Sequence, residues 1–178
     1  MNAYPKPAAE VIDPRLLRGV YGAFATGVTI VTVSGSTPHA MTANSFTAVS
    51  LDPALVLVCI DRNAVMHRAV LDAGQFGVSV LASDQAELAR YFADRRRPLG
   101  ATQFEYGAWH AGERTGAPLL DGAVAHLECA LWQVYDGGDH SIVLGRVLSL
   151  QRHVEGDGLL FLGGKFRQLG GLTAEVTT

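Results

Sequence analysis

The sequence predicts a mainly β chain: an antiparallel, closed barrel with short helices on its periphery. The segment 28–33 reads Val-Thr-Ile-Val-Thr-Val, β-branched throughout, and 54–60 is wholly apolar; both compositions favour strands. About seven such runs stand against three short helical stretches. Helices and strands do not alternate as in βαβ units, so a closed antiparallel arrangement fits better than a parallel doubly wound sheet.

The elements follow in order. Residues 1–12 are polar, contain two prolines, and are expected to form a flexible arm ahead of a single domain over 13–178. Asp13-Pro14 has the form of a helix start, an N-cap acid followed by proline at the first helical position. Leu16, Leu17, Val20 and Phe24 then recur at helical spacing, which predicts a helix over 14–25. Strands are expected at 28–33, 40–50 and 54–60, separated by turns at Ser34–Pro38 and Asp52-Pro53. A helix over 64–71 should stop at Gly74, with a strand at 76–81 after it. Ser83 is read as the cap of a third helix whose first turn carries Asp84 and Glu87, favourable at the positive end of the helix dipole. Residues 93–118 read as irregular, and strands at 123–135, 141–150 and 159–162 complete the set.

Of the 178 residues, 48% are hydrophobic and 17% charged, with net charge −3. So apolar a chain can bury a large core and retain apolar surface for a subunit interface. The balance of charge gives no field to hold nucleic acid. The basic run Arg95-Arg96-Arg97 reads either as a solvated loop corner or as a phosphate-facing loop. No apolar run approaches the ~18 residues of a membrane span. The N-terminus lacks an apolar signal core, so a cytoplasmic protein is expected. Cys59 and Cys129 sit in apolar runs with no Cys-x-x-Cys pair, against zinc or dithiol chemistry. None of the six histidines pairs at the spacing of a helical metal site, so no metal is expected. Nucleotide-binding Gly-x-Gly-x-x-Gly, P-loop and Gly-x-Ser-x-Gly patterns are all missing.

Two polar segments remain. Residues 42–47, Thr-Ala-Asn-Ser-Phe-Thr, set four neutral hydrogen-bonding side chains between apolar runs. Such groups suit the edge of an uncharged heteroaromatic ring, or else bond within the sheet. Residues 137–140, Gly-Gly-Asp-His, put an acid and an imidazole at a turn before another strand. Their imidazole either borders a pocket or faces water.

Phe24-Ala25-Thr26-Gly27-Val28-Thr29-Ile30-Val31-Thr32, then Thr42–Thr47, Ser50-Leu51-Asp52-Pro53, and Gly138-Asp139-His140 with Gly145 form an ordered set. From about residue 15 to 170 this set resembles the short-chain flavin reductases, the reductase partners of two-component flavin-dependent monooxygenases. The resemblance implies an FMN-binding split barrel, an antiparallel Greek-key barrel. It further implies FMN or FAD as the flavin, NADH or NADPH as hydride donor, a homodimer, and a separate monooxygenase that receives the reduced flavin. It assigns the flavin edge to Thr42, Ala43, Asn44, Ser45, Phe46 and Thr47, with Thr26 on the preceding motif. The approach to the ring and phosphate tail falls to Cys59, Asp61, Arg62 and Asn63, with Arg62 neutralising a phosphate. Ser79 and Phe92 are candidates for the ribityl and outer end, with Gln85 behind them. His140 is the catalytic candidate on the nicotinamide side, Asp139 orients its ring, and Phe166 lies near the nicotinamide. Two alternatives stand beside this reading. A split-barrel protein that only binds flavin would not need the Gly-Asp-His motif. A pyridoxamine-phosphate-oxidase-like flavoenzyme would need a more basic phosphate pocket.

Overall fold

A computed structural model describes residues 12–153 and 156–169. The expected arm, but for its last residue, lies outside the described residues. The chain runs α1 (Pro14–Gly22), β1 (Thr26–Gly27), β2 (Thr29–Val33), β3 (His39–Ala43), β4 (Thr47–Leu51), β5 (Ala54–Asp61), α2 (Val65–Ala73), β6 (Gln75–Val80) and α3 (Ala86–Ala93). A 3₁₀ turn (Gly100–Glu105) follows, then β7 (Trp109–Ala111), β8 (Pro118–Leu120), β9 (Ala125–Gly137), β10 (His140–Arg152), β11 (Leu160–Leu162) and β12 (Lys165–Arg167).

Seven strands form one antiparallel sheet in the order β3-β2-β6-β9-β10-β5-β4. β3 and β4 are consecutive in the chain yet occupy opposite edges. Only residues 44–46 join them. Laid flat, seven strands at ~4.8 Å spacing would hold the edges ~29 Å apart. Four residue steps reach only ~14 Å. The sheet therefore curls until its edges face one another, unpaired among the described residues: a barrel with a slit, the split barrel.

The single strand expected at 40–50 is thus two strands broken at the crossover. The Ser45 hydroxyl stands in for backbone there. It accepts from Cys59 N–H at 3.0 Å and donates to Cys59 C=O at 3.1 Å. β4 pairs Thr47 with Leu57, so Ser45 opposite Cys59 keeps the same register while its own backbone turns away.

β2 is buried at every position. Val31 and Val33 face the core cluster covered by Met66 and Val70 of α2. Val28 and Ile30 face the cluster built on Ala89 and Phe92 of α3. Burial on both sides explains why this run does not alternate in polarity.

The helices differ from expectation in detail. Asp13 caps α1 through Arg15 N–H at 2.8 Å and Pro14 opens it, but the helix ends at Gly22, short of 25. α2 closes on Gly74 at φ 64°, a left-handed position suited to glycine. α3 begins at Ala86, and Ser83 does not cap it. Gln85 sits at the N-cap with its side chain turned back: Oε1 accepts from Ala82 N–H and Nε2 donates to Asp121 C=O. The span read as irregular holds the 3₁₀ turn and the small β7–β8 pair.

Candidate active site

A cavity of ≈ 370 Å³ opens at the crossover. Its walls come from β3 and the Asn44-Ser45 loop, the end of β5 with Asn63–Val65, the C-terminus of α3, the loop carrying Arg95, Arg97 and Leu99, and His140 at the start of β10.

Of the residues expected at the site, Thr42, Ala43, Asn44, Ser45, Cys59, Asp61, Asn63, Phe92 and His140 all line this cavity. They converge from four segments of the chain. Their chemistry differs from expectation at two points. The Thr42 hydroxyl donates to Ala89 C=O at 2.7 Å, tying β3 to α3, and the Ser45 hydroxyl serves Cys59 as described. Both donors are committed within the protein. What the loop offers a flat polar ring is the exposed Asn44 side chain and the backbone N–H groups of Ser45 and Phe46, which bond to no backbone carbonyl among the described residues.

His140 is held from three sides. Gly138 and Asp139 form the two-residue turn between β9 and β10, with Gly138 at φ 83°, as a II′ hairpin requires at its first turn position. Asp139 Oδ1 lies 2.8 Å from His140 Nδ1, fixing the ring. Asp61 stands opposite on β5. Its carboxyl is held below the ordinary range, first by Asn63 N–H at 2.8 Å, with further help from Arg95 at 3.0 Å and from His140.

Arg62 does not line the cavity. It bonds Asp136 at 2.7 Å and reaches His140 C=O at 3.4 Å, so it braces the hairpin. The cations that do line the cavity are Arg95 and Arg97. Arg97 donates to Asp94 C=O at 2.8 Å, to Ala40 C=O, and to His39 Nε2 at 3.3 Å. Its Nε is buried with no hydrogen-bond partner among the described residues. His39, 4% exposed, is pushed down to about 4 by burial and then by Arg97. A ring nitrogen that accepts from a guanidinium cannot readily take a proton.

The other candidates lie elsewhere. Ser79 is fully buried on β6, and its hydroxyl accepts from Leu120 N–H at 2.9 Å. Thr26 lies on β1 opposite Phe161, with its hydroxyl buried and without a hydrogen-bond partner among the described residues. Phe166 packs on Phe161 at 5.5 Å, under the Arg90 guanidinium. Phe46 packs half-buried against the α2-side core. Thr47 is exposed at the start of β4, and Asp139 touches the site only through His140. Sequence reasoning passed over His39, because one histidine after a turn carries no pattern. It left Arg97 open, because its neighbours Arg95 and Arg96 point to different places. Burial pushes the Cys129 thiol up to about 12 and raises Cys59 as well, so neither is a ready nucleophile.

Residues 21–170 match the flavin reductase-like domain. The chain belongs to that family. An NADH-dependent FAD reductase of Streptomyces globisporus is 53% identical over 171 residues, 94% of each chain. The reductase subunit HsaB of a flavin-dependent monooxygenase from Rhodococcus jostii is 40% identical over 160 residues, 89% of this chain and 80% of that one. The crystal structure of BorF, the flavin reductase component of a bacterial two-component tryptophan halogenase, superposes with a TM-score of 0.86 at 56% identity, over 90% of this chain and 100% of BorF.

The donor set fits a flavin nucleotide. A cavity with neutral edge groups, the Phe92 ring among its walls and a buried guanidinium nitrogen lacking a partner among the described residues suits a flat neutral ring with a phosphate tail.

Proposed function

We propose that this protein is an NADH-dependent flavin reductase that takes FAD and supplies the reduced flavin to a separate flavin-dependent monooxygenase. The observation that carries the reading is the convergence of the Thr42–Ser45 segment and His140 on one cavity with Arg97 at its wall. Two relatives more than 50% identical to this chain are named as flavin or FAD reductases and match it over nearly their whole lengths. When bound, the flavin supplies N5 as acceptor of a hydride from the nicotinamide ring.

The protein's part is positioning, since this transfer needs near-contact of the two rings more than an acid or base at the carbon. Asn44 and the loop backbone hold the ring edge. Arg97, with Arg95, neutralises the phosphates. His140, steadied by Asp139 and the Arg62 brace, orients the nicotinamide and offers a hydrogen bond to charge developing on the flavin. A pure flavin carrier would need no such fixed imidazole at the mouth.

The working unit is a homodimer in the cytoplasm. α1 buries none of its residues: Leu16, Val20 and Tyr21, with Phe24 just beyond its end, are 63–77% exposed. An amphipathic helix with its apolar side in water calls for a partner surface. Both cysteines are free, and among the described residues no helix is long and apolar enough to cross a membrane.

NADH oxidation measured with no flavin, with FAD and with FMN tests the activity. Turnover only with added or bound flavin is expected, and none with either flavin overturns the reading. Sedimentation as a monomer at micromolar concentration would overturn the dimer.

A further inference from the structure

Arg95 and Asp61 line the flavin cavity from different walls. Asp61 ends β5, and Arg95 stands on the loop that follows α3. Arg95 Nη2 donates to Asp61 Oδ2 at 3.0 Å. Among the described residues this is the one hydrogen bond or ion pair that joins residues 94–99 to residues 59–65. The Arg95 side chain is 79% exposed and that of Asp61 28%, so the pair lies where the cavity meets solvent.

We propose that this ion pair is a latch across the cavity mouth: it must part for the flavin ring to pass, and a phosphorylated flavin opens it by offering Arg95 a rival anion. Arg95 thereby makes the protein admit flavin phosphates faster than riboflavin. The proposal rests on the flavin reductase reading above.

The two ends of the latch are held differently. Asp61 is the fixed end. Its Oδ1 accepts from Asn63 N–H at 2.8 Å, and its strand pairs it with His140. Asn63 first, and Arg95 after it, hold the carboxyl below the ordinary range, so it stays an anion at neutral pH.

Arg95 is the moving end. Among the described residues its guanidinium bonds Asp61 alone. The groups beside it are engaged elsewhere: Asp94 pairs with Arg96 at 2.9 Å, and Arg97 turns inward to Ala40 and His39. A long, flexible arginine stem can swing outward while the backbone of both walls stays in place. An ion pair this exposed is weak enough to open readily. While it stands, it bridges the walls between which the ring passes. A neutral ring has to wait for it to open, whereas a phosphate competes for the guanidinium with charge-assisted bonds of its own.

The test is stopped-flow fluorescence of flavin binding, without NADH, using riboflavin and FMN as probes. Arg95→Gln should speed riboflavin association about two- to five-fold, the loss of one exposed ion pair, and slow that of FMN. In the wild type, added NaCl screens the pair and should speed riboflavin by a similar factor, although riboflavin carries no charge for salt to act on. That arm needs no variant to fold, and the response should vanish in Arg95→Gln. Asp61→Asn should also speed riboflavin, with no further gain when Arg95→Gln is added to it. Riboflavin rates indifferent to both salt and Arg95→Gln overturn the proposal and leave Arg95 as a phosphate-binding group alone. Equal acceleration of both flavins, or binding of FMN without riboflavin, overturns it as well. In each of these cases NADH oxidation with FMN by the same preparation leaves the reductase reading standing. Failure of the wild type to bind either flavin removes both.

Discussion

Acidification should unfold this protein through His39. The ring is 4% exposed and accepts a hydrogen bond from Arg97, and its pKa falls from 6.5 to about 4 in the folded state, by burial first and Arg97 second. The unfolded chain takes its proton near the ordinary value, while the folded chain refuses it until far lower pH. The stability that His39 confers is therefore complete above its unfolded pKa and is lost as the pH falls from 6.5 toward 4. Between pH 7 and pH 5 the unfolded state gains most of one proton and the folded state almost none, which amounts to about 2 kcal/mol. His126 is also lowered by burial and acts in the same direction. Asp94, lowered to about 2 chiefly by its bond to Arg96, contributes only below this window. The comparison that isolates His39 is denaturant unfolding of the wild type and His39→Gln at several pH values over that range. The variant should lose stability at every pH but show a flatter pH dependence, by about 2 kcal/mol across the window. Equal slopes would refute the assignment of a neutral, proton-refusing His39 to the cavity wall.

Two other substitutions separate function from fold. His140→Ala should slow flavin reduction roughly three- to hundred-fold, since a positioning hydrogen bond is worth ~0.5–1.5 kcal/mol and more when its partner becomes charged. Flavin affinity should stay nearly intact, and stopped-flow reduction beside fluorescence titration tells the two apart; equal losses in both would remove His140 from its role. Gly145→Ala should destabilise the protein by ~1–3 kcal/mol, read as a lowered unfolding midpoint. A Cβ there would overlap the Phe76 ring and come within 2.9 Å of Cys129 Cβ, and Phe76, 1% exposed, has nowhere to move.

The sequence made plain what periodicity and composition control. The β-branched run of β2, the Asp13-Pro14 start of α1 and the Gly74 stop of α2 were all legible, because each depends on neighbours a few positions away. The break of 40–50 into two strands was not. It arises because Ser45 meets Cys59 across the closing edge, a partnership fourteen residues long that no local pattern announces. At the site, residue types were read more readily than bonding. Thr42 and Ser45 were recognised as polar groups beside a cavity, but whether a hydroxyl serves a ligand or a neighbouring carbonyl depends on where α3 and β5 come to rest. For the same reason Arg62, expected near the phosphate tail, stays outside the cavity, and Arg97, from a run whose reading was open, lines it. Asp136, on the long β9 arm, claims Arg62, whereas Arg97 is turned inward under His39.

The unpaired edges of β3 and β4 have a consequence for how the chain reaches its active form. Residues 39–45, 59–65, 92–99 and 140 must all be in place before the binding walls exist, and they are brought together by pairings that run from β2 around to β5. No fragment or partly assembled intermediate can present the site, so flavin discriminates between finished and unfinished molecules. A ligand of that kind draws the folding equilibrium toward completion by mass action. It acts as a late clasp on the sheet: cells rich in flavin hold more of this protein closed, and nascent chains gain that protection only when β10 has left the ribosome.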